Sequence, residues 1–181
     1  MLPKTNFKFR WFHGVLFFVF VNLIGGFGIT RIVDIKEVYS TLIKPWFAPP
    51  VFLFGLAWTT NNVLTIIGNI WTLNLQPSLD RTRLLWLQGL SWFNFCVFQY
   101  LSFGLYALYG KPFVSMFFWP TFSMLILTIA SLYYAYQLDT SDMSFVAKIK
   151  SGRSITMTLT SLISWLVIAT VLGFQIWMLN K

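Results

Sequence analysis

The chain has 181 residues, 57% of them hydrophobic and only 10% charged, with a formal net charge of +8. A soluble domain carries about 25% charged residues, so composition excludes an ordinary globular protein and indicates an all-α integral membrane protein with a heavy aromatic load. Basic residues scattered among short connections argue against a nucleic-acid partner, and a lone cysteine, Cys96, excludes an intramolecular disulfide or a thiolate metal cluster.

Charges punctuate the chain. The charge-free stretches are 11–30, 45–79, 84–110, 112–138 and 154–180, each reaching the roughly 20 residues a helix needs to cross the hydrocarbon core. They predict a five-transmembrane-helix bundle forming a single membrane domain over 1–181, with spans at about 11–30, 51–75, 84–109, 113–137 and 154–178.

The first span follows Lys4, Lys8 and Arg10. Its apolar run is long for a signal peptide, and Gly25-Gly26-Phe27-Gly28 is not a clear small-x-small cleavage site, so a retained helix is expected. His13, the only histidine, reads either as an axial haem ligand or as an interfacial ring beside Trp11 and Phe12; the second is preferred, because no ligand-type residue sits at a useful spacing.

The connection from about Thr30 to Pro50 is the longest and ends in Lys44-Pro45-Trp46-Phe47-Ala48-Pro49-Pro50. Proline has fixed φ and no N–H, so Pro49 and Pro50 place the start of the second span near Val51, and Pro77 marks its far end. Lys44 is an interfacial anchor or the partner of an acidic group on a ligand. Within the second span Phe54, Trp58, Asn62, Thr65 and Asn69 share one sector at about 100° per residue.

On the third span Gln88, Ser91, Gln99 and Ser102 share a face. The short Lys111-Pro112 connection makes the third and fourth spans antiparallel neighbours. On the fifth span Ser161, Trp165, Ala169 and Gly173 repeat at i+4. Such stripes serve helix packing, or line a pocket for a flat apolar ligand with a few polar edges; packing is preferred for Ala169 and Gly173, and for Gly25 and Gly26.

Asp34, Glu37, Asp80, Asp139 and Asp142 are the only carboxylates, and all are expected in loops. An ionisable residue inside the membrane would mark a proton relay; none is expected here, which argues against an ion-coupled transporter. No nucleophile–base pair, paired intramembrane carboxylate or phosphate-binding glycine loop is present, so no catalytic residue and no metal site are assigned. Lys4, Lys8, Arg10, Arg81, Arg83, Lys148, Lys150 and Arg153 fall on one side, against Arg31, Lys36, Lys44, Lys111 and Lys181 on the other. The positive-inside rule then favours a cytoplasmic N-terminus.

Lys44-Pro45-x-x-x-Pro49-Pro50 followed by Phe54-Gly55-x-x-Trp58-Thr59 resembles the helix-one/two signature of the TspO/MBR family, the tryptophan-rich sensory proteins related to the mitochondrial translocator protein (peripheral benzodiazepine receptor). Trp165-x-x-x-Ala169-Thr170-Val171-Leu172 and Ile176-Trp177 are similar to the family's helix-five ending. The chain departs from the family pattern at Phe47 (usually Trp, here displaced to Trp46), Leu56 (Pro), Asn62 (often Tyr), Ser161-Leu162 (Pro-Tyr) and Gly173 (Asn). Either Gln88 or Asn94 stands for the family's Gln/Asn pair. No Tyr lies between Val171 and Lys181, so the C-terminal sterol pattern is incomplete.

The resemblance implies a dimeric bundle in a bacterial cell membrane or the mitochondrial outer membrane, with a pocket under the first loop. Porphyrin or other tetrapyrrole ligands, or isoquinoline-type ligands, would bind there for transport or sensing; no cofactor is required, and a porphyrin or haem-like molecule would come as the ligand. The residues expected to contact ligand are Trp46, Phe47, Pro49, Pro50, Trp58, Asn62, Gln88, Asn94 and Trp165. Light-dependent porphyrin degradation and a structural subunit without a small ligand are the alternatives.

Overall fold

The computed structural model describes residues 8–141 and 144–181, which leaves Lys4 and Asp142 of the sequence reading outside the described residues. Seven helices account for nearly all of it, and no strand occurs among the described residues. They are α1 (Trp11–Thr30), α2 (Ile35–Thr41), α3 (Val51–Asn74), α4 (Leu79–Gln99), α5 (Trp119–Thr140), α6 (Phe145–Lys150) and α7 (Ile155–Leu179). A π-helical turn, Tyr100–Gly104, and a last stretch, Leu105–Tyr109, carry α4 onward without a break.

Four helical segments are long and apolar enough to cross a membrane: Trp11–Thr30, Val51–Asn74, Val114–Thr140 and Ile155–Leu179. The expected fifth crossing, α4, is long but falls outside that set. Its first turn carries Asp80, Arg81 and Arg83, and its buried face carries Gln88, Ser91 and Gln99, which lowers its hydropathy. The count of five therefore becomes seven helices, four of them of membrane-crossing character, because α2 and α6 occupy two connections and α4 is polar.

The breaks between helices follow from local chemistry. Ser78, Ser144 and Ser154 accept hydrogen bonds from the N–H groups of Arg81, Ala147 and Met157, capping α4, α6 and α7. Asp34 caps α2 by accepting from Lys36 N–H at 2.8 Å. The Arg81 side chain donates to the Thr72 and Leu73 carbonyls, at 3.0 and 2.9 Å, and so satisfies the last turn of α3. Gly110 supplies the left-handed φ of 65° that ends the α4 rod before Lys111-Pro112.

Helices α4 and α5 pack along their length, and α7 packs against both α5 and α3. The antiparallel pairing expected from the short Lys111-Pro112 connection is present. The polar stripe of α4 faces inward, with Gln88, Ser91, Gln99 and Ser102 all buried. The two largest buried clusters include Ile66, Trp92, Phe95, Phe98, Met124 and Leu166 in one, and Leu84, Ala135, Leu138, Ile155 and Leu159 in the other.

The carboxylates are not all in loops. Asp80 lies in the first turn of α4, Glu37 in α2, and Asp139 on the last turn of α5. Asp139 is 0% exposed. It accepts from Ser154 Oγ at 2.7 Å and from the N–H groups of Ile155 and Thr156 at 3.1 and 2.8 Å. A carboxylate at a helix N-terminus satisfies orphan donors and complements the helix dipole, so Asp139 is a structural cap joining α5 to α7.

Candidate functional site: a cavity between α1, α3 and α7

Helices α1 and α3 are pinned together at one end only. A Cβ on Gly14 would come within 2.7 Å of side-chain methyls of both Ile66 and Ile70, so a larger residue there would have to displace them. Just beyond, Asn74 accepts from Phe9 N–H at 2.9 Å and donates to Phe9 O at 2.8 Å. Towards the other end a cavity of about 1040 Å³ separates the two helices.

Aromatic side chains from four helices form its inner wall. Trp58 on α3 lies 5.1 Å from Phe95 and 6.1 Å from Phe98 on α4, measured between ring centroids. Trp165 on α7 stands edge-on to Trp58 at 6.1 Å and to Phe54 at 5.7 Å. Phe18 on α1 packs against the same cluster. Thus Trp58 lines the cavity directly, and Trp165 supports it from behind. Ala169 and Gly173 reach the lining one and two turns further along α7.

Val19 and Leu23 on α1, with Gly55 and Thr59 on α3, line the cavity and are also exposed on the outer surface of the bundle. The cavity therefore opens sideways between α1 and α3. Two π-helical turns, Leu23–Phe27 in α1 and Tyr100–Gly104 after α4, border it and are joined by the Tyr100 hydroxyl, which donates to the Ile24 carbonyl. A π-turn widens a helix and frees backbone carbonyls, and such turns recur beside functional sites.

The roof comes from the start of α2, with Asp34, Ile35, Lys36 and Tyr39 in the lining. Tyr39 donates from its hydroxyl to the Pro49 carbonyl at 3.3 Å, and burial raises its phenol above the ordinary value. The Lys44 ammonium donates to the Tyr39 carbonyl at 3.0 Å and lies 4.9 Å over the Tyr39 ring. Lys44 is thus engaged in holding α2.

The Lys44–Pro50 segment lies outside the lining. Trp46 is 96% exposed, and its ring meets Phe47 edge-on at 5.7 Å. Pro50 sits at the N-cap of α3, and Pro49 meets Tyr39 through its carbonyl. The segment is anchored by its neighbours. Leu42 and Ala48 pack into a cluster with Phe117, Leu172 and Ile176, while Asn180 donates to Ile43 O and accepts from Ile43 N, both at 2.8 Å.

The remaining expected contacts lie deeper or elsewhere. Asn62 is buried one turn below Trp58, and its side-chain nitrogen has no protein partner. Gln88 is 2% exposed, and neither atom of its amide has a protein partner. Asn94 donates to Ser123 Oγ at 2.8 Å and so joins α4 to α5, outside the cavity lining. Buried polar groups are normally satisfied by protein, water or ligand, so Asn62 and Gln88 remain available below the aromatic wall.

Residues that the sequence reading did not single out include Asp34, Lys36, Tyr39, Phe103 and Phe117, all in the lining. Only the length of the first connection hinted that part of it would be structured. His13 accepts the Arg10 N–H on Nδ1 at 3.0 Å at the start of α1, outside the cavity lining. No group of three or more His, Cys, Asp or Glu side chains able to hold a metal occurs among the described residues.

An all-helical chain with several helices of membrane-crossing character agrees with the motifs that suggested the resemblance. No curated protein matches the chain. The model of the TspO/MBR family matches residues 15–178, nearly its whole length, and the chain belongs to that family.

Proposed function

We propose that this protein binds a flat apolar ligand of the porphyrin or isoquinoline type in the cavity between α1, α3 and α7, and acts in its transport or sensing. The observation that carries this reading is the aromatic wall of Phe54, Trp58, Phe95 and Phe98 in a cavity of about 1040 Å³. Ligand pockets are typically about 300–1,000 Å³, largely apolar with a few polar groups, so this one is at the large end. Flat conjugated rings gain from edge and offset contacts with indole and phenyl groups.

Trp58 is the principal contact, Trp165 holds it in place, and Asn62 or Gln88 would meet a polar group that penetrates below the wall. Trp46, Phe47, Pro49 and Pro50 would act only as the rigid outer border of the roof. The protein would sit in a bacterial cell membrane or the mitochondrial outer membrane as a homodimer, with α4 as a fifth crossing whose polar face is shielded by its neighbours. Its ligand site would require no resident cofactor, and any haem-like molecule would be the cargo.

Titration of the detergent-solubilised protein with protoporphyrin IX tests this reading, because the cavity tryptophan should be quenched in a saturable manner. Absence of saturable quenching, together with no thermal shift from an isoquinoline ligand, would defeat it and favour a structural subunit.

A further inference from the structure

We propose that Lys36 selects ligands bearing a carboxylate, so that the site takes an amphipathic apolar acid with its rings on the Trp58 wall and its anionic group at the roof. The inference deepens the proposed binding of a flat tetrapyrrole and rests on it. Among the described residues that line the cavity, Lys36 is the only lysine or arginine.

The cavity lining holds one carboxylate as well, Asp34, and one of its two oxygens is engaged. Asp34 uses Oδ1 to accept the Lys36 backbone N–H at 2.8 Å, the cap of α2. The Lys36 ammonium, by contrast, has no hydrogen-bond or ion-pair partner among the described residues, whereas Lys44 is committed to the Tyr39 carbonyl and ring. The sequence favoured Lys44 for meeting an acid; the geometry transfers that role to Lys36.

Chemistry also fixes the orientation. A carboxylate pushed down among Phe54, Phe95 and Phe98 would lose its hydration without a counter-charge there, which is costly. At the roof it keeps water on one side and gains the ammonium on the other. A ligand sliding sideways between α1 and α3 could do so rings first, leaving its acid at the charged edge marked by Asp34 and Lys36.

The test compares protoporphyrin IX with its dimethyl ester, titrated against the full-length wild type and the Lys36→Gln, Lys36→Arg and Lys44→Gln variants. Partly exposed ion pairs are worth up to about fivefold in affinity. Lys36→Gln should therefore weaken protoporphyrin about fivefold and leave the ester within twofold, Lys36→Arg should keep wild-type preference, and Lys44→Gln should keep the acid-to-ester ratio. Raising salt should weaken the acid only. Tight protoporphyrin binding with an acid-to-ester ratio unchanged by Lys36→Gln would overturn this inference alone. Failure of the wild type to bind either compound would overturn it together with the tetrapyrrole reading. Lys36 is exposed on a short helix, so loss of folding is not expected, and a thermal melt of each variant checks that.

Discussion

Trp165 meets Trp58 edge to face, with ring centroids 6.1 Å apart and planes at 87°, and thereby ties the wall of the cavity on α3 to α7. Only Trp58 faces the cavity, so the two indoles divide the work of contact and support.

This division predicts distinct mutant behaviour. Trp58→Ala should abolish saturable quenching by protoporphyrin, or weaken it at least tenfold, in a protein that still folds. Trp165→Phe should weaken binding only a few-fold, because a phenyl ring still supports Trp58. Trp46→Ala should change neither affinity nor melting temperature appreciably, since Trp46 is 96% exposed and meets Phe47 edge-on outside the cavity lining. Equal losses from Trp46→Ala and Trp58→Ala would show that ligand binds beneath the outer segment instead.

A second prediction concerns Gly173, where the family usually carries Asn. A Cβ there would overlap the Phe117 carbonyl and the Phe118 nitrogen, which are backbone atoms and cannot rotate aside. Gly173→Ala should therefore destabilise by about 1–3 kcal/mol through overpacking, despite the helix propensity gained. The thermal unfolding midpoint in detergent measures it, and a midpoint equal to wild type would mean that α5 and α7 separate easily here.

Asp139 gives a third. Removing its carboxylate leaves Ser154 Oγ and the Ile155 and Thr156 N–H groups without their acceptor in a buried position. Asp139→Ala should cost about 1–3 kcal/mol, and Asp139→Asn less, because its carbonyl oxygen can still accept from one of the donors. Detergent melts of both variants would reveal the order; an Asn variant worse than Ala would contradict the cap.

Most of the helical organisation was legible because charges and prolines interrupt long apolar stretches, and the termini of α1, α3 and α7 fall within a residue of expectation. The inward face of α4 was also legible, since Gln88, Ser91, Gln99 and Ser102 repeat at helical spacing and all are buried. Asp139 was misread because one residue of distance from a helix end decides between solvent and a neighbour's N-terminus, and sequence does not show which neighbour is near. The part that α2 plays in the cavity lining was not legible for a related reason. Tryptophan and proline density drew attention to Trp46, whereas the segment's position is set by Asn180, which binds Ile43 across 137 residues of chain. Contacts of that range leave no local periodicity.

The last prediction separates stability from binding. Gly26 and Gly55 both line the cavity, and a Cβ on either meets nothing within 4 Å. Glycine inside a helix costs roughly 0.5–1 kcal/mol relative to alanine, so packing against the protein does not account for either residue. Room for a ligand in the proposed site would. Gly55→Leu and Gly26→Leu should therefore melt at or above the wild-type temperature while binding protoporphyrin at least fivefold more weakly, and Gly55→Leu, at the opening between α1 and α3, should also slow association in stopped-flow quenching. Gly55→Ala is the graded control: more stable, with affinity nearly unchanged. If Gly55→Leu and Gly26→Leu both bound as tightly and as fast as wild type, neither the cavity nor its lateral opening would be the route and seat of the ligand. A loss of stability in either would instead mean that these helices close upon one another, and that the glycines serve their approach.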